Sequence, residues 1–215
     1  GATGSVGEVF KEGVHYAWQT WSVRTLILTL IALNLTASTY AVLLPVFARD
    51  VFAGDAALLG WLWGAAGCGA FLSTVFLATR KTSPAVVSAI VAGVLISAVS
   101  MLVFALTTWL PLALAGMVGL GFGISVCNVG INMVLQSTAP EQLRGRIVSF
   151  FTSARFGFDA LGGLLAGFVA AGLGAGQTLL IEGCVLSFFV VFLFTRRRRL
   201  QRQIAVAHHG VKDGH

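Results

Sequence analysis

Six long apolar stretches follow one another along the chain, and charged residues are almost confined to the gaps between them. A helix of roughly twenty apolar residues spans the hydrocarbon core of a bilayer, which is about 30 Å thick. The stretches lie near residues 25–48, 57–79, 85–106, 110–136, 147–171 and 177–195. The pattern predicts an all-α integral membrane protein with six transmembrane helices.

The composition supports this fold class and excludes others. The chain is 57% hydrophobic and 10% charged, with a mean hydropathy of +0.89. Its 215 residues leave little beyond six spans and short loops, so we expect no soluble catalytic domain. The net charge of +6 would suggest nucleic acid in a soluble protein. Because the basic residues flank the spans, the pattern instead predicts contact with membrane lipid and no nucleic acid partner.

Three regions are predicted from this pattern. Residues 1–22 form a cytoplasmic linker with an amphipathic helix at the membrane surface, and residues 23–195 form the six-helix bundle. Residues 196–215 form a basic, disordered cytoplasmic tail. The chain begins at Gly1 and not at Met, so we expect it to come from a longer protein.

The distribution of Lys and Arg predicts the orientation. With both termini in the cytoplasm, twelve of the fourteen Lys and Arg residues lie on the inner side. Arg49 then lies outside and Arg155 lies within a span. The opposite orientation would violate the positive-inside rule at nearly every loop.

Two charges fall inside the fifth stretch. Arg155 is nine residues beyond Arg146, which places it about 13 Å deeper along a helix, and Asp159 lies one turn further. Charged side chains are costly at this depth. The i, i+4 spacing places both on one face, where they are either an internal ion pair that helps the helix insert or a site for substrate or a proton in a polar cavity.

Other polar residues mark further candidates. Asn34 lies in the first span, and Asn128 and Asn132 share one face of the fourth; they either form interhelical hydrogen bonds or line a cavity. Glu182, near the outer end of the sixth span, either reaches the outer interface or faces the bundle. Pro45 is expected to kink the first span. The third span, with only Ser and Thr as polar side chains, is expected to face lipid.

Metal and enzyme chemistry are not indicated. Cys68, Cys127 and Cys184 are widely spaced within apolar stretches, a pattern that suggests neither a disulfide framework nor a metal site. There is no pattern of an intramembrane nucleophile and base, so we expect no enzyme activity and no cofactor.

Four segments carry a resemblance to a known family. They are Glu12–Tyr16, the Leu-Leu-Pro-Val-Phe-Ala-Arg-Asp run at 43–50, the Ala-Pro-Glu-Gln-Leu-Arg-Gly-Arg run at 139–146, and the Gly-rich run at 161–167. Together they resemble the C-terminal half of major facilitator superfamily exporters, especially the enterobactin-exporter-like group, also called transmembrane secretion effectors. The resemblance covers about residues 8–200.

The resemblance implies one half of a twelve-helix major facilitator fold, built from two inverted three-helix repeats. It implies a proton-coupled exporter of drug- or siderophore-like small molecules in the bacterial inner membrane. An N-terminal six-helix half would be the partner, and alternating access the mechanism. By this analogy the first and fourth spans line the cavity and the third and sixth are outer helices.

The resemblance also assigns a cytoplasmic loop motif, formed by Glu141, Arg144, Gly145 and Arg146. The alternative function is a non-transporting assembly or scaffold subunit, or a degenerate half-transporter. Whether the chain is a fragment, a split subunit or a homodimer stays open at this point.

The predicted orientation can be tested with single cysteines in a cysteine-free background of the protein expressed in bacteria. Cysteines at Gly13 and Gly210 should react with a membrane-impermeant maleimide only after permeabilisation, because both termini are cytoplasmic. A cysteine at Ala53, in the first outer loop, should react in intact cells and serves as the control. Labelling of either terminus in intact cells would contradict the orientation.

Overall fold

The computed structural model describes residues 20–80, 82–138 and 141–212, and the regular structure in these ranges is helical, with no strand. Seven α-helices and one short 3₁₀ turn at Ala37–Thr39 follow one another along this part of the chain. The α-helices are α1 (Trp21–Thr36), α2 (Tyr40–Asp50), α3 (Ala56–Ala78), α4 (Ser83–Leu106), α5 (Leu110–Thr138), α6 (Glu141–Leu173) and α7 (Ala175–Lys212).

Six helical segments of the described residues are long and apolar enough to cross a membrane, which confirms the predicted fold class. The first, Trp21–Asp50, consists of α1, the 3₁₀ turn and α2. The other five correspond to α3, α4, α5, α6 and the first part of α7.

The ends of the helices follow from local chemistry. The Asp55 carboxylate accepts hydrogen bonds from the backbone N–H groups of Ala57 and Leu58 at 3.0 and 3.1 Å, and so caps α3. Pro84 lies in the first turn of α4, where its missing N–H leaves no bond unmade. Gly174, with a φ of +86°, separates α6 from α7 in a conformation that favours glycine.

The first span is interrupted at Ala37–Thr39, and not at Pro45. Pro45 lies within α2 without ending it. Thr36 has a φ of −120° and a ψ of −71°, away from helical values. The hydroxyl of Thr36 donates to the Ala32 carbonyl at 2.7 Å, and that of Thr39 lies within hydrogen-bond distance of the Thr36 carbonyl. Such bonds from hydroxyls to the preceding turn compete with the helix and bend it.

The fourth span, α5, lies between α3 and α4 at very close range. A Cβ at Gly69 of α3 would overlap the backbone of Val118, and one at Gly121 of α5 would overlap the Ala66 carbonyl. On its other side, α5 approaches α4 where Gly123 meets the backbone of Gly93. Small residues at these positions let the backbones touch, as is typical of helices packed in membranes.

The third span is more buried than its composition suggested. α4 packs against α5 on one side and α7 on the other, and 56% of its most apolar stretch is buried. Only one stripe faces outward, with Leu95, Val99 and Leu106 exposed. A helix without charged side chains is equally suited to lipid and to the interior of a bundle, which is why composition alone misassigned its other face.

In contrast, α3 and α6 are the least buried spans. Only 28% of the most apolar stretch of α3 and 11% of that of α6 are buried within the described residues. Large apolar side chains stand exposed on both, among them Phe71 on α3 and Leu164 and Phe168 on α6.

The C-terminal part of the chain is helical, whereas a disordered tail was expected there. α7 continues as a helix to Lys212. Leu200 is buried, and the Gln201 amide donates to the Pro84 carbonyl and the Ser88 hydroxyl at 3.3 and 2.6 Å. The Arg199 guanidinium lies 4.8 Å from the centre of the Trp21 ring. These contacts with α1 and α4 fix the position of the turns of α7 that directly follow the last span.

The predicted linker at residues 1–22 and its surface helix lie almost wholly outside the described residues. Of that segment the structure describes residues 20–22, where α1 begins at Trp21.

Gly121→Ala should destabilise the protein, because the added methyl group meets the backbone of Ala66 and not a movable side chain. Overpacking of this kind costs about 1–3 kcal/mol. Gly172→Ala, at an exposed position of α6 with open space around it, is the matched control. Thermal unfolding of the protein purified in detergent should show a lower midpoint for Gly121→Ala only. Equal midpoints would contradict the close packing of α3 on α5.

Candidate functional site

A cavity of about 410 Å³ opens halfway along the spans, between α2, α3, α5 and α6. Its volume lies within the range that small-molecule sites occupy. The lining residues are Tyr40, Trp63, Ala66, Gly67, Ala70, Gly121, Ile124, Ser125, Asn128, Val129, Asn132, Phe151 and Arg155.

Aromatic side chains form two walls of this cavity. Tyr40, the first residue of α2, and Trp63 of α3 lie with their ring centres 5.9 Å apart and their planes tilted by 48°. Phe151 of α6 also lines the cavity. Gly67, which lacks a Cβ atom, and Ala70 line the cavity from the same helix as Trp63. The walls are therefore flat and apolar, and suited to a ring system.

Polar groups on α5 form another wall. Ser125, Asn128 and Asn132 share one helix face and line the cavity. A hydrogen bond from another helix fixes the Asn128 side chain: the side-chain amide of the buried Asn34 of α1 donates to Asn128 Oδ1 at 3.3 Å. Asn132 accepts a hydrogen bond from Gln136 at 2.9 Å. Asn128 thus both connects two helices and lines the cavity, Asn34 connects the helices, and Asn132 lines the cavity while bonding within its own helix.

Arg155 and Asp159 both lie on α6 at this level, but no ion pair within 4.0 Å joins them. Arg155 lines the cavity, with its guanidinium 5.0 Å from the centre of the Phe156 ring. Asp159 lies within electrostatic range of the Tyr40 phenol. On α6, Arg155 therefore places a cationic group at the cavity, whereas Asp159 does not line it and approaches it only through its electrostatic interaction with Tyr40.

Glu182 approaches the interruption of the first span from α7. Its carboxylate accepts a hydrogen bond from the Thr39 hydroxyl at 2.5 Å. Thr39 is only 1% exposed and directly precedes Tyr40 in the chain. Glu182 is therefore connected to the cavity wall through one residue, although it does not line the cavity itself.

The predicted loop motif lies on a helix. Arg144, Gly145 and Arg146 belong to the first turns of α6, which begins at Glu141. Arg144 lines a second hollow of about 420 Å³ with Gln136 and Ser137, where α5 ends and α6 begins. The side chain of Glu141 lies outside the described residues.

No group of three or more His, Cys, Asp or Glu side chains that could hold a metal ion occurs in the described part of the chain. Cys68 and Cys184 are exposed on the helices, and Cys127 is buried with its thiol directed at the Ile90 carbonyl.

Three residues of this region were missed by sequence reasoning. Trp63 lies near one end of the second span, where tryptophan is typical of the headgroup layer, but it lines the cavity. Tyr40 carried no signal, because a single phenol in an apolar stretch is common. Thr39 had a usable signal: it closes the run Thr-Ala-Ser-Thr at 36–39, the densest group of hydroxyls in the first span.

Comparison with known proteins adds two findings. The family model of the transmembrane secretion effectors matches residues 3–210. The multidrug efflux pump Tap of Mycolicibacterium fortuitum is 32% identical over 190 residues, which cover 87% of this chain and 46% of that protein. The chain thus spans about half the length of this curated relative. No solved structure matches the chain.

Proposed function

The chain belongs to the transmembrane secretion effector family of the major facilitator superfamily, and on this premise we propose that it forms the C-terminal half of a proton-coupled exporter of small molecules. Export would proceed by alternating access, in which this bundle rocks against an N-terminal six-helix half around a site near the middle of the membrane.

The observation that carries the proposal is the cavity between α2, α3, α5 and α6. It lies halfway along the spans, as a transport site would, and it is lined by aromatic rings, amides and one guanidinium. Apolar walls with a few placed polar groups are typical of sites for amphipathic small molecules. This lining supports a drug- or siderophore-like substrate.

The least buried helices flank this cavity. α3 and α6 both contribute lining residues, and both expose large apolar side chains such as Phe71 and Phe168. A second bundle packed on these two helices would cover that surface and close the cavity into a pathway. The relative of about twice this length supports the presence of such a half in the full-length protein.

We assign roles to the site residues as follows. Asn128, Asn132 and Arg155 bind polar groups of the substrate, and Asn34 holds Asn128 in place. Asp159 accepts a proton during transport, since intramembrane carboxylates commonly serve as proton relays. In this proposal the protein resides in the bacterial inner membrane, as the family resemblance implies, and both termini are cytoplasmic, because Lys and Arg concentrate on the cytoplasmic side of membrane proteins.

Trp63→Ala should raise the KM for export of a fluorescent drug such as ethidium roughly tenfold, because it removes one aromatic wall of the cavity. Trp61→Ala is the matched control, since Trp61 is 70% exposed on the same helix and does not line the cavity. Efflux from cells that express the full-length protein provides the measurement. Equal effects of the two substitutions would argue against the cavity as the substrate site.

Asp159→Asn should abolish the stimulation of export by an imposed pH gradient, because an amide cannot take up the proton that a carboxylate accepts. Asp50→Asn, at an exposed residue paired with Arg49 at the end of α2, should leave the stimulation intact. Transport is measured in inverted membrane vesicles with matched amounts of protein. Unchanged stimulation in Asp159→Asn would reject this role, and absence of transport in the wild type would favour the non-transporting subunit.

A further inference from the structure

Two acceptors compete for a single hydroxyl proton at the interruption of the first span. The Thr39 hydroxyl is within bonding distance of both the Thr36 carbonyl and the Glu182 carboxylate. A hydroxyl carries one hydrogen and can donate only one full hydrogen bond at a time. The pairing at Thr39 must therefore depend on which acceptor is stronger, and an ionised carboxylate is a stronger acceptor than a carbonyl.

Protonation of Glu182 would change this pairing without any large movement. A carboxylic acid carries an O–H group and can donate to the Thr39 oxygen. The Thr39 hydroxyl is then free to donate to the Thr36 carbonyl, which closes the 3₁₀ turn. Uptake of one proton by Glu182 thus reverses the direction of the hydrogen bond between Glu182 and Thr39. It also strengthens the hydrogen bond from the Thr39 hydroxyl to the Thr36 carbonyl.

The surroundings of Glu182 contain no described group that would fix its charge by direct contact. α4, which packs on α7 beside it with Leu102 against Gly183, has no ionisable side chain. On the other packed spans, the ionisable groups are Arg24 of α1, Tyr40, Arg49 and Asp50 of α2, Cys127 of α5, and Glu141, Arg144, Arg146, Arg155 and Asp159 of α6. Among the described side chains, Thr39 provides the hydrogen bond to Glu182.

A change in hydrogen bonding at Thr39 would affect the cavity through the next residue in the chain. Tyr40 follows Thr39 directly, lines the cavity and faces Trp63. A change in the 3₁₀ turn alters the direction in which α2 begins, and hence the position of the Tyr40 ring. Interruptions of this kind are tolerated in membranes where protein or a cavity surrounds them, and they are suitable points for movement.

We propose that Glu182 is a proton-binding site behind the cavity and that Thr39 transmits its protonation state to Tyr40. Both are positioning residues, since neither lines the cavity. The inference rests on the proposed function only in that the proton would be one of those coupled to export; the switch itself can be observed without transport.

The first measurement follows the cavity wall directly. In the full-length protein with Trp63 as its sole tryptophan, purified in detergent, the emission of Trp63 should change as the pH is varied without substrate. Glu182→Gln and Thr39→Val should abolish this change, because each removes one member of the switch. Thr39→Ser, which keeps the hydroxyl, should retain it.

Thr29→Val is the matched control for the loss of a buried hydroxyl. Thr29 lies on the same span and is 1% exposed, and among the described residues its hydroxyl bonds to the Thr25 carbonyl of its own helix. The pH response should therefore survive this substitution. A response that persists in Glu182→Gln, or one that is lost in Asp159→Asn and not in Glu182→Gln, would overturn the proposal.

The second measurement separates this inference from the proposed function. In vesicles, Thr39→Val should reduce ethidium export driven by a pH gradient roughly tenfold, whereas Thr39→Ser should export as the wild type does. Wild-type export with an intact pH response in Glu182→Gln would overturn the inference and leave the exporter standing. A Trp63 response without any export would refute the exporter and leave the switch.

Discussion

The polypeptide backbone must satisfy its hydrogen bonds internally wherever it crosses lipid, and the rest of this structure follows from that constraint. It makes every described span a helix. It also makes any interruption depend on nearby polar side chains, and the first span is interrupted at such a place. There the hydroxyls of Thr36 and Thr39 bond to the preceding turns, and Glu182 adds a partner from α7. The interruption lies beside a cavity and not in lipid, where its free backbone groups could not be satisfied.

Glycine residues allow the close packing of helices that positions the cavity. α5 approaches both α3 and α4 so closely that a single methyl group at Gly121 or Gly69 would overlap backbone atoms of the neighbouring helix. This contact sets the position of Trp63 relative to the amides on α5. Because van der Waals contact replaces the hydrophobic effect between helices in a membrane, the tight packing also supplies much of the attraction.

The polar residues divide into those that connect helices and those that face the cavity, and one residue can do both. Asn128 accepts a hydrogen bond from Asn34 and still lines the cavity. Arg155 and Asp159, in contrast, are on one helix face without an ion pair between them. A charged side chain without an ion-pair partner is costly within a membrane, and binding of a substrate, a proton or a second bundle would offset that cost.

The sequence by itself determined the number of spans, the fold class and the candidates Arg155, Asn128 and Asn132, because hydropathy and unusual polar residues are local properties. It did not predict the interruption at Ala37–Thr39, the extent to which the third span is buried, or the continuation of the last helix to Lys212. The structure alone brought Thr39 to Glu182, which are 143 residues apart, and Tyr40 to Trp63. Contacts of this kind depend on how helices rotate and pack against one another, and an apolar helix does not specify its neighbours in its own residues.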